Sequence, residues 1–295
     1  MEIVELFKAL FLGIVEGVTE WLPISSTGHM ILVDEFMKLN VSPEFLELFL
    51  VVIQIGAIMA VIVIYFSKLN PFSLKKTSLE KKSTWRLWGH VAVSCIPAAV
   101  IGILLDDFFN TYFYNAWTVS LALIIYGIIF IVIERKNKKE ESFFIKHHTG
   151  STKLRLHKVE TVDEMDLKTA FKIGCFQCLA IIPGTSRSGS TIIGGMLTGC
   201  SRVAATEFTF FLAIPVMFGW GALKTLKLFL KGVVLSSTEI GVLIVGILSA
   251  FIVSIISIKF LLKYIKSHDF TAFGVYRIIV GFVVIAYFGV KMFLS

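Results

Sequence analysis

Six stretches of this chain run for roughly twenty residues with almost no charge, the length a helix needs to cross a hydrocarbon core of about 30 Å. They lie approximately over Leu46–Phe66, Trp88–Leu105, Asn115–Ile133, Phe208–Leu230, Ile240–Leu262 and Phe270–Val290. In lipid the backbone must satisfy its own hydrogen bonds, which leaves helices or closed barrels as spanning structures. Apolar runs of this length, without strict alternation, predict helices. Of 295 residues 56% are hydrophobic and 17% are charged, against about 25% charged in an ordinary soluble domain. That composition excludes a disordered chain, a collagen-like fibre and a disulfide-stapled secreted domain. The expected fold class is an all-α polytopic membrane protein.

Two further apolar stretches, Leu6–Met37 and Leu167–Cys200, are interrupted in the middle by Pro, Gly, Ser and Thr. Each half is only about 15 residues, short for a span. Both read as re-entrant helical hairpins whose tips end inside the membrane, where irregular backbone is tolerated only against protein or a water-filled cavity.

The loops orient the chain. Ser67–Leu87 carries six basic residues (Lys68, Lys75, Lys76, Lys81, Lys82, Arg86) against the single acid Glu80, and Glu134–Lys168 carries nine against seven acids. Asp106–Tyr114 carries none. Basic loops stay on the cytoplasmic side, so the first two are expected inside and the third outside. Alternation then puts Tyr264–Asp269 inside, the C-terminus outside, and the basic residues Lys224, Lys227 and Lys231 at an outer turn, against the rule. The formal charge of +7 is thereby explained by orientation, and no nucleic-acid partner is expected. Cys95, Cys175, Cys178 and Cys200 lie in or beside apolar segments and are read as packing residues. Cys175 and Cys178 form a C-x-x-C without the second pair that zinc needs. His147, His148 and His157 sit in the polar loop, read as solvated rather than metal-binding. The first apolar stretch holds Glu16 and Glu20 and lacks a small-residue cleavage site, so no cleavable signal is expected.

Each interrupted hairpin precedes three spans, and an odd number per half inverts the second half. Gly13-Ile-Val-Glu-Gly…Pro23-Ile-Ser-Ser-Thr-Gly28 is similar to Gly174-Cys-Phe-Gln-Cys…Pro183-Gly-Thr-Ser-Arg-Ser-Gly189, with one residue of slip. This pairs Glu16 with Gln177 and Ser26 with Ser186. The chain divides into a first repeat, 1–134, a polar cytoplasmic loop, 135–167, and a second, inverted repeat, 168–295. Inverted repeats with broken helices meeting near the midplane place a site where the halves face each other.

At the first tip, Glu16 and Glu20 are four residues apart and share a helix face. Carboxylates at this depth are costly and point to function; two together can hold Mg²⁺ or Ca²⁺ or share a proton. The alternative is that both snorkel from an interfacial helix. Pro23 ends the helix. Ser25, Ser26, Thr27 and Gly28 then offer hydroxyls and backbone N–H groups, and His29 a base or nucleophile. At the second tip, Pro183-Gly-Thr-Ser-Arg-Ser-Gly-Ser-Thr191 has the composition of an oxyanion cradle. Ser186, Ser188, Gly189 and Thr191 suit hydrogen bonding and close backbone approach, and Arg187 is a bidentate phosphate fork. Arg187 could instead pair structurally with Glu16 or Glu20. Gln54 lies within a span and either lines the cavity or bonds between helices. Arg202 and Glu207 are expected to pair at the interface. Arg277 either faces the bundle or snorkels. Acids, a Ser/His group and an arginine in lipid together suit phosphoryl transfer from a lipid-linked phosphate.

These residues resemble the undecaprenyl-diphosphate phosphatase family, the integral-membrane bacitracin-resistance proteins of bacteria. The match is carried by Glu16-x-x-x-Glu20-x-x-Pro-x-Ser-Ser-Thr-Gly-His29 and Pro183-Gly-Thr-Ser-Arg-Ser-Gly189. Val52-Ile-Gln-Ile-Gly56, Gly174-Cys-Phe-Gln-Cys178 and Ser201-Arg-x-Ala-Ala-Thr-Glu-Phe208 match as well. The resemblance implies removal of the terminal phosphate of undecaprenyl diphosphate, recycling the carrier lipid for cell-wall synthesis. It implies a divalent metal, Mg²⁺ or Ca²⁺, on Glu16 and Glu20, with Glu20, Ser26, His29 and Arg187 catalytic. Ser25, Thr27, Gly28, Ser186, Ser188, Gly189, Thr191 and Gln54 would bind substrate. The expected setting is the bacterial inner membrane, with a site open to the outer leaflet, and the expected partners are the polyprenyl diphosphate, the membrane and a second copy in a homodimer. Two departures are the long polar segment Glu134–Lys168 and Leu50, where relatives often carry Glu, a role Glu47 is not expected to fill.

Ser26 is the preferred nucleophile, activated by Glu20 or His29; attack by His29 or by a metal-bound water is the alternative. The competing functions are a transporter flipping a polyprenyl phosphate, with Glu16 and Glu20 as a proton relay, and a purely structural scaffold.

Overall fold

The computed structural model describes residues 2–147, 156–230 and 235–294. Eleven α-helices follow one another there: α1 Glu2–Thr19, α2 Ser26–Phe36, α3 Pro43–Ile64, α4 Phe66–Leu69, α5 Ser78–Phe113, α6 Ala116–His147, α7 Leu167–Gln177, α8 Arg187–Leu197, α9 Arg202–Leu230, α10 Ser237–Tyr264 and α11 Thr271–Leu294. Short 3-10 turns occupy Val162–Glu164 and Cys178–Ile181. Six helices are long and apolar enough to cross a membrane: α3, α5, α6, α9, α10 and α11. Large apolar side chains stand outward along them, including Ile103, Leu104, Ile128, Ile252 and Ile279. Such faces are at home in lipid and not in water, and the protein is a multi-pass membrane protein.

Several helices outrun their apolar cores. α5 starts at Ser78, where Thr77 and Glu80 form a reciprocal capping box, and it continues to Phe113, so the expected outer loop Asp106–Tyr114 is almost wholly helical. α6 carries on past Ile133 to His147, so the first part of the expected polar loop is also helix. Its charges extend it: Lys136 and Glu140 pair one turn apart. Lys224 and Lys227 belong to α9 rather than to a loop, and Lys224 pairs with Glu47 at 3.0 Å. His148 and Lys231 lie outside the described residues.

The two interrupted stretches each form a helix, a break and a second helix whose far end returns to the start of the first. The Asn40 N–H donates to Glu5 Oε2 and Lys8 Nζ to the Lys38 carbonyl, joining the two ends of the α1–α2 pair. For α7–α8, the Val159 N–H donates to the Gly199 carbonyl and the Ser201 N–H to that of Val159. Asp166 caps α7 by accepting the Thr169 N–H at 2.7 Å.

Packing crosses between the halves. α1 lies along α10 and α7 along α5, while α6 packs on α11 and α3 on α9. Gly13 and Gly174 make the first two contacts possible. A Cβ at Gly13 would collide with Ser249 and the Gly246 carbonyl, and one at Gly174 with the Ser94 backbone. In the larger core, Trp21 is fully buried edge-on against Phe210 at 5.3 Å.

Arg202 and Glu207 do not pair. Arg202 Nη2 binds Glu134 Oε2 at 2.7 Å and Nη1 binds Glu141 Oε1 at 2.8 Å, whereas Glu207 takes Lys68 at 3.0 Å. Glu134 is wholly buried, and an unpaired charge there would be prohibitive. Its Oε1 also accepts the Phe270 N–H, which ties α6, α9 and the start of α11 together.

Candidate active site

The α1–α2 break begins where Pro23, lacking an N–H, would leave the Thr19 carbonyl unbonded, and α1 accordingly stops at Thr19. The chain restarts at Ser25, which adopts φ 73 and accepts the Gly28 N–H with its Oγ. The second break does the same: Ser186 adopts φ 72 and accepts the Gly189 N–H. No other non-glycine among the described residues has positive φ. Backbone of this kind is strained outside glycine and gathers at functional sites. In backbone and cap Ser25 matches Ser186, which sets Ser26 beside Arg187 rather than beside Ser186 as the sequence pairing expected. Gly184 has φ 92, and its lack of a Cβ lets the second turn fit against the Val119 backbone.

The two breaks touch. Glu20 accepts Ser26 Oγ–H on Oε2 and Arg187 Nη2–H on Oε1, both at 2.8 Å. The structural pairing open to Arg187 is thus the one seen, with Glu20. Arg187 Nη1 donates to the Thr209 carbonyl of α9 at 2.8 Å, its guanidinium lies 5.9 Å from the Trp21 ring centre, and its Nε has no hydrogen-bond partner. Ser188 Oγ sits 3.1 Å from the Glu20 carbonyl and 3.1 Å from Ser186 Oγ.

Arg277 on α11 faces the bundle and is fully buried. Its Nη1 donates to the Pro23 carbonyl at 3.0 Å, and its Nη2 to those of Gly184 and Thr185 at 3.0 and 2.9 Å. One guanidinium therefore holds both breaks by their backbones. The signal for it was present, since a lone arginine in an apolar span is retained only for a strong reason, but spacing alone does not reveal the partner.

A cavity of about 310 Å³ opens beside this junction. Of the expected residues Glu20, Ser25, Ser26, Thr27, Gln54, Ser186, Arg187 and Ser188 line it. Glu16, Gly28, His29, Gly189 and Thr191 do not. Gly28 and Gly189 serve the caps. Thr191 bonds its own helix carbonyls and Thr209, because a buried hydroxyl one turn inside a helix finds those acceptors first. His29 is turned toward α11: Nδ1 donates to the Ser25 carbonyl and Nε2 meets the Tyr276 hydroxyl, both at 2.7 Å, with the rings stacked. A carbonyl only accepts, so the neutral ring carries its proton on Nδ1 and accepts from Tyr276 at Nε2. Neither nitrogen faces the cavity. Glu16 is buried beneath the junction, and its Oε1 has no partner. Among the described residues no three His, Cys, Asp or Glu side chains cluster as a metal site.

The family model of the bacitracin resistance protein BacA matches residues 9–283. An undecaprenyl-diphosphatase of Enterococcus faecalis is 56% identical over 282 residues, covering 96% of this chain and 97% of the relative. One of Desulfitobacterium hafniense is 55% identical over 292 residues, 99% of each. One of Streptococcus thermophilus is 51% identical over 290 residues, 98% of this chain and 96% of the relative. With breaks, cavity and buried acids lying inside the matched span, the chain belongs to the bacitracin resistance protein BacA family.

Proposed function

We propose that this protein is an integral-membrane phosphatase that hydrolyses undecaprenyl diphosphate to undecaprenyl phosphate and inorganic phosphate, returning the carrier lipid to cell-wall synthesis and so supporting bacitracin resistance. The observation that carries the reading is the single carboxylate, Glu20, holding Ser26 on one oxygen and Arg187 on the other. A nucleophile, its base and an anion-binding arginine stand together in apolar surroundings. Electrostatic stabilisation is strongest where water is scarce.

Ser26 Oγ attacks the terminal phosphorus while Glu20 takes the hydroxyl proton. The Oγ–P bond forms and the bond to the bridging oxygen breaks, so undecaprenyl phosphate leaves with the bridging oxygen. Arg187 neutralises the charge on the equatorial oxygens. Glu20 then gives up its proton to solvent and takes one from the water that attacks phosphoserine, whose Oγ leaves and is reprotonated as inorganic phosphate departs. His29, bonded to the Ser25 carbonyl, holds the strained turn and does not transfer the proton.

Glu16 supports a divalent cation, Mg²⁺ or Ca²⁺. A buried carboxylate oxygen without a hydrogen-bond partner has the chemistry that a hard cation would accept. Glu16 and Glu20 would hold it, and it would supply further neutralisation of phosphate charge.

The architecture we infer is an inverted-topology repeat of 1–134 and 168–295 around the segment 135–167, with α1–α2 and α7–α8 as re-entrant hairpins entering from opposite faces. The crosswise packing and matching serine turns support it. The cavity is lined by Ala98, Ile101 and Gly102 of α5 and by Val216, Met217 and Trp220 of α9. These positions lie in the halves away from the basic end at Lys68–Arg86. With that end in the cytoplasm, the cavity opens between α5 and α9 toward the outer leaflet of the bacterial inner membrane, where a polyprenyl chain stays in lipid.

The test is phosphate release by the purified, detergent-solubilised protein given a long-chain polyprenyl diphosphate, with Mg²⁺ or Ca²⁺ and with chelator. Release that chelator suppresses is the expected result. No release from folded protein would refute the phosphatase and favour a headgroup transporter.

A further inference from the structure

Gln177 is the last residue of α7 and lies at the position of the second half that Glu16 occupies in the first. It is 3% exposed, and neither Nε2 nor Oε1 has a hydrogen-bond partner. A buried primary amide with no partner is destabilising, and a side chain of that length buried only for packing would more naturally be apolar. It also lines the cavity that holds Ser26, Ser186 and Arg187. Glu20 in the same cavity is engaged on both oxygens, by Ser26 and Arg187, whereas the Gln177 amide, like Arg187 Nε, still has hydrogen bonds to make.

We infer that Gln177 is a substrate-binding residue that reads the diphosphate through both ends of its amide. Nε2 has two protons to donate to phosphate oxygens, and Oε1 is an acceptor for a phosphate hydroxyl. A neutral amide here adds hydrogen bonds without adding charge. A carboxylate in the same place, as in the first half, would repel the anion. The pair Glu16 and Gln177 would thus be divided by function, the acid available to a cation and the amide to the phosphate. The inference rests on the cavity being the phosphatase site.

The test compares wild type, Gln177→Leu and Gln177→Glu, each checked for a monodisperse, cooperatively melting sample. Two readouts are used: steady-state hydrolysis of a polyprenyl diphosphate, and calorimetric binding of a polyprenyl methylenediphosphonate that cannot be cleaved at the bridge. Loss of a hydrogen bond to a charged ligand is worth about tenfold or more. Gln177→Leu is therefore expected to raise KM and the analogue Kd about tenfold with kcat changed less than threefold, and Gln177→Glu to weaken both further. If Gln177→Leu does not fold, the nearly isosteric Gln177→Glu alone decides. Unchanged KM and Kd in a folded variant overturns the inference, and so does a fall in kcat with KM unmoved. If wild type does not hydrolyse yet binds the analogue, and the variants bind it less well, the amide contact stands and the phosphatase fails. If wild type does neither, both are overturned.

Discussion

Ser25 and Ser186 stand 161 positions apart and have the same backbone, φ 73 and φ 72, each capping its helix through the N–H of the glycine three residues on. The following residues then diverge: Ser26 presents a hydroxyl and Arg187 a guanidinium, and both end on Glu20. Two turns of matching backbone thus bring unlike chemistry to a shared carboxylate. Neither turn binds both groups alone, so a site of this kind needs both halves.

Arg277 is expected to be indispensable although it does not line the cavity. Arg277→Met leaves the carbonyls of Pro23, Gly184 and Thr185 unpaired in the interior, at about 1–3 kcal/mol for each buried group left unsatisfied. The expected outcome is a clear loss of melting temperature and at least a hundredfold loss of phosphate release. Arg277→Lys recovers part of the first and little of the second, because one ammonium has no planar fork to span the two turns. Melting in detergent beside activity checks both.

Glu20 and His29 are expected to differ sharply. Glu20→Gln removes the proposed base and the anchor of Arg187 together, and kcat should fall by about 10²–10⁴. Tyr276→Phe removes only the hydroxyl that donates to His29 Nε2, and turnover should stay within about threefold. A loss as large as that of Glu20→Gln would put the imidazole in the proton path.

The close approach at Gly174 gives a steric prediction. A side chain there meets the Ser94 backbone, which cannot swing aside. Gly174→Val should therefore separate α7 from α5 and lower both melting temperature and yield. Gly102, with nothing within 4 Å of an added Cβ, should accept alanine without loss of stability.

Asp166 gives a prediction in pH. Hydrogen bonds from Thr169, with the Lys158 ammonium beside it, hold its carboxyl well below the ordinary value of 3.8. A carboxyl depressed on folding adds stability that is present above its unfolded pKa and lost as pH falls through the folded one. Asp166→Asn should thus melt below wild type at pH 7 and by the same margin at pH 5, and the gap should begin to narrow as pH drops below about 4. Thermal melting at pH 7, 5 and 3.5 checks this.

The spanning helices were legible because twenty apolar residues admit few structures, and the two tips because Pro23, Pro183 and their glycines interrupt them. Helix ends were less legible, since α5 and α6 continue beyond their apolar cores on caps and charge pairs that hydropathy does not register. Glu20, Ser26 and Arg187 could be chosen by chemistry. The direction His29 faces could not, because it depends on Tyr276, 247 residues away. Arg202 likewise pairs with Glu134, 68 residues before it, rather than with Glu207. Arg277 stood out in an apolar span and Gln177 through its pairing with Glu16, but the carbonyls that hold Arg277 and the unpartnered amide of Gln177 depend on the fold.

The most direct measurement is where the phosphoryl group rests. Purified protein is mixed with polyprenyl diphosphate labelled in its terminal phosphate, quenched over milliseconds to seconds, and mapped by peptide. Transient label is expected on Ser26, absent in Ser26→Ala and greatly slowed in Glu20→Gln. Label on His29, or complete turnover with no label on the protein at any quench time, would contradict it.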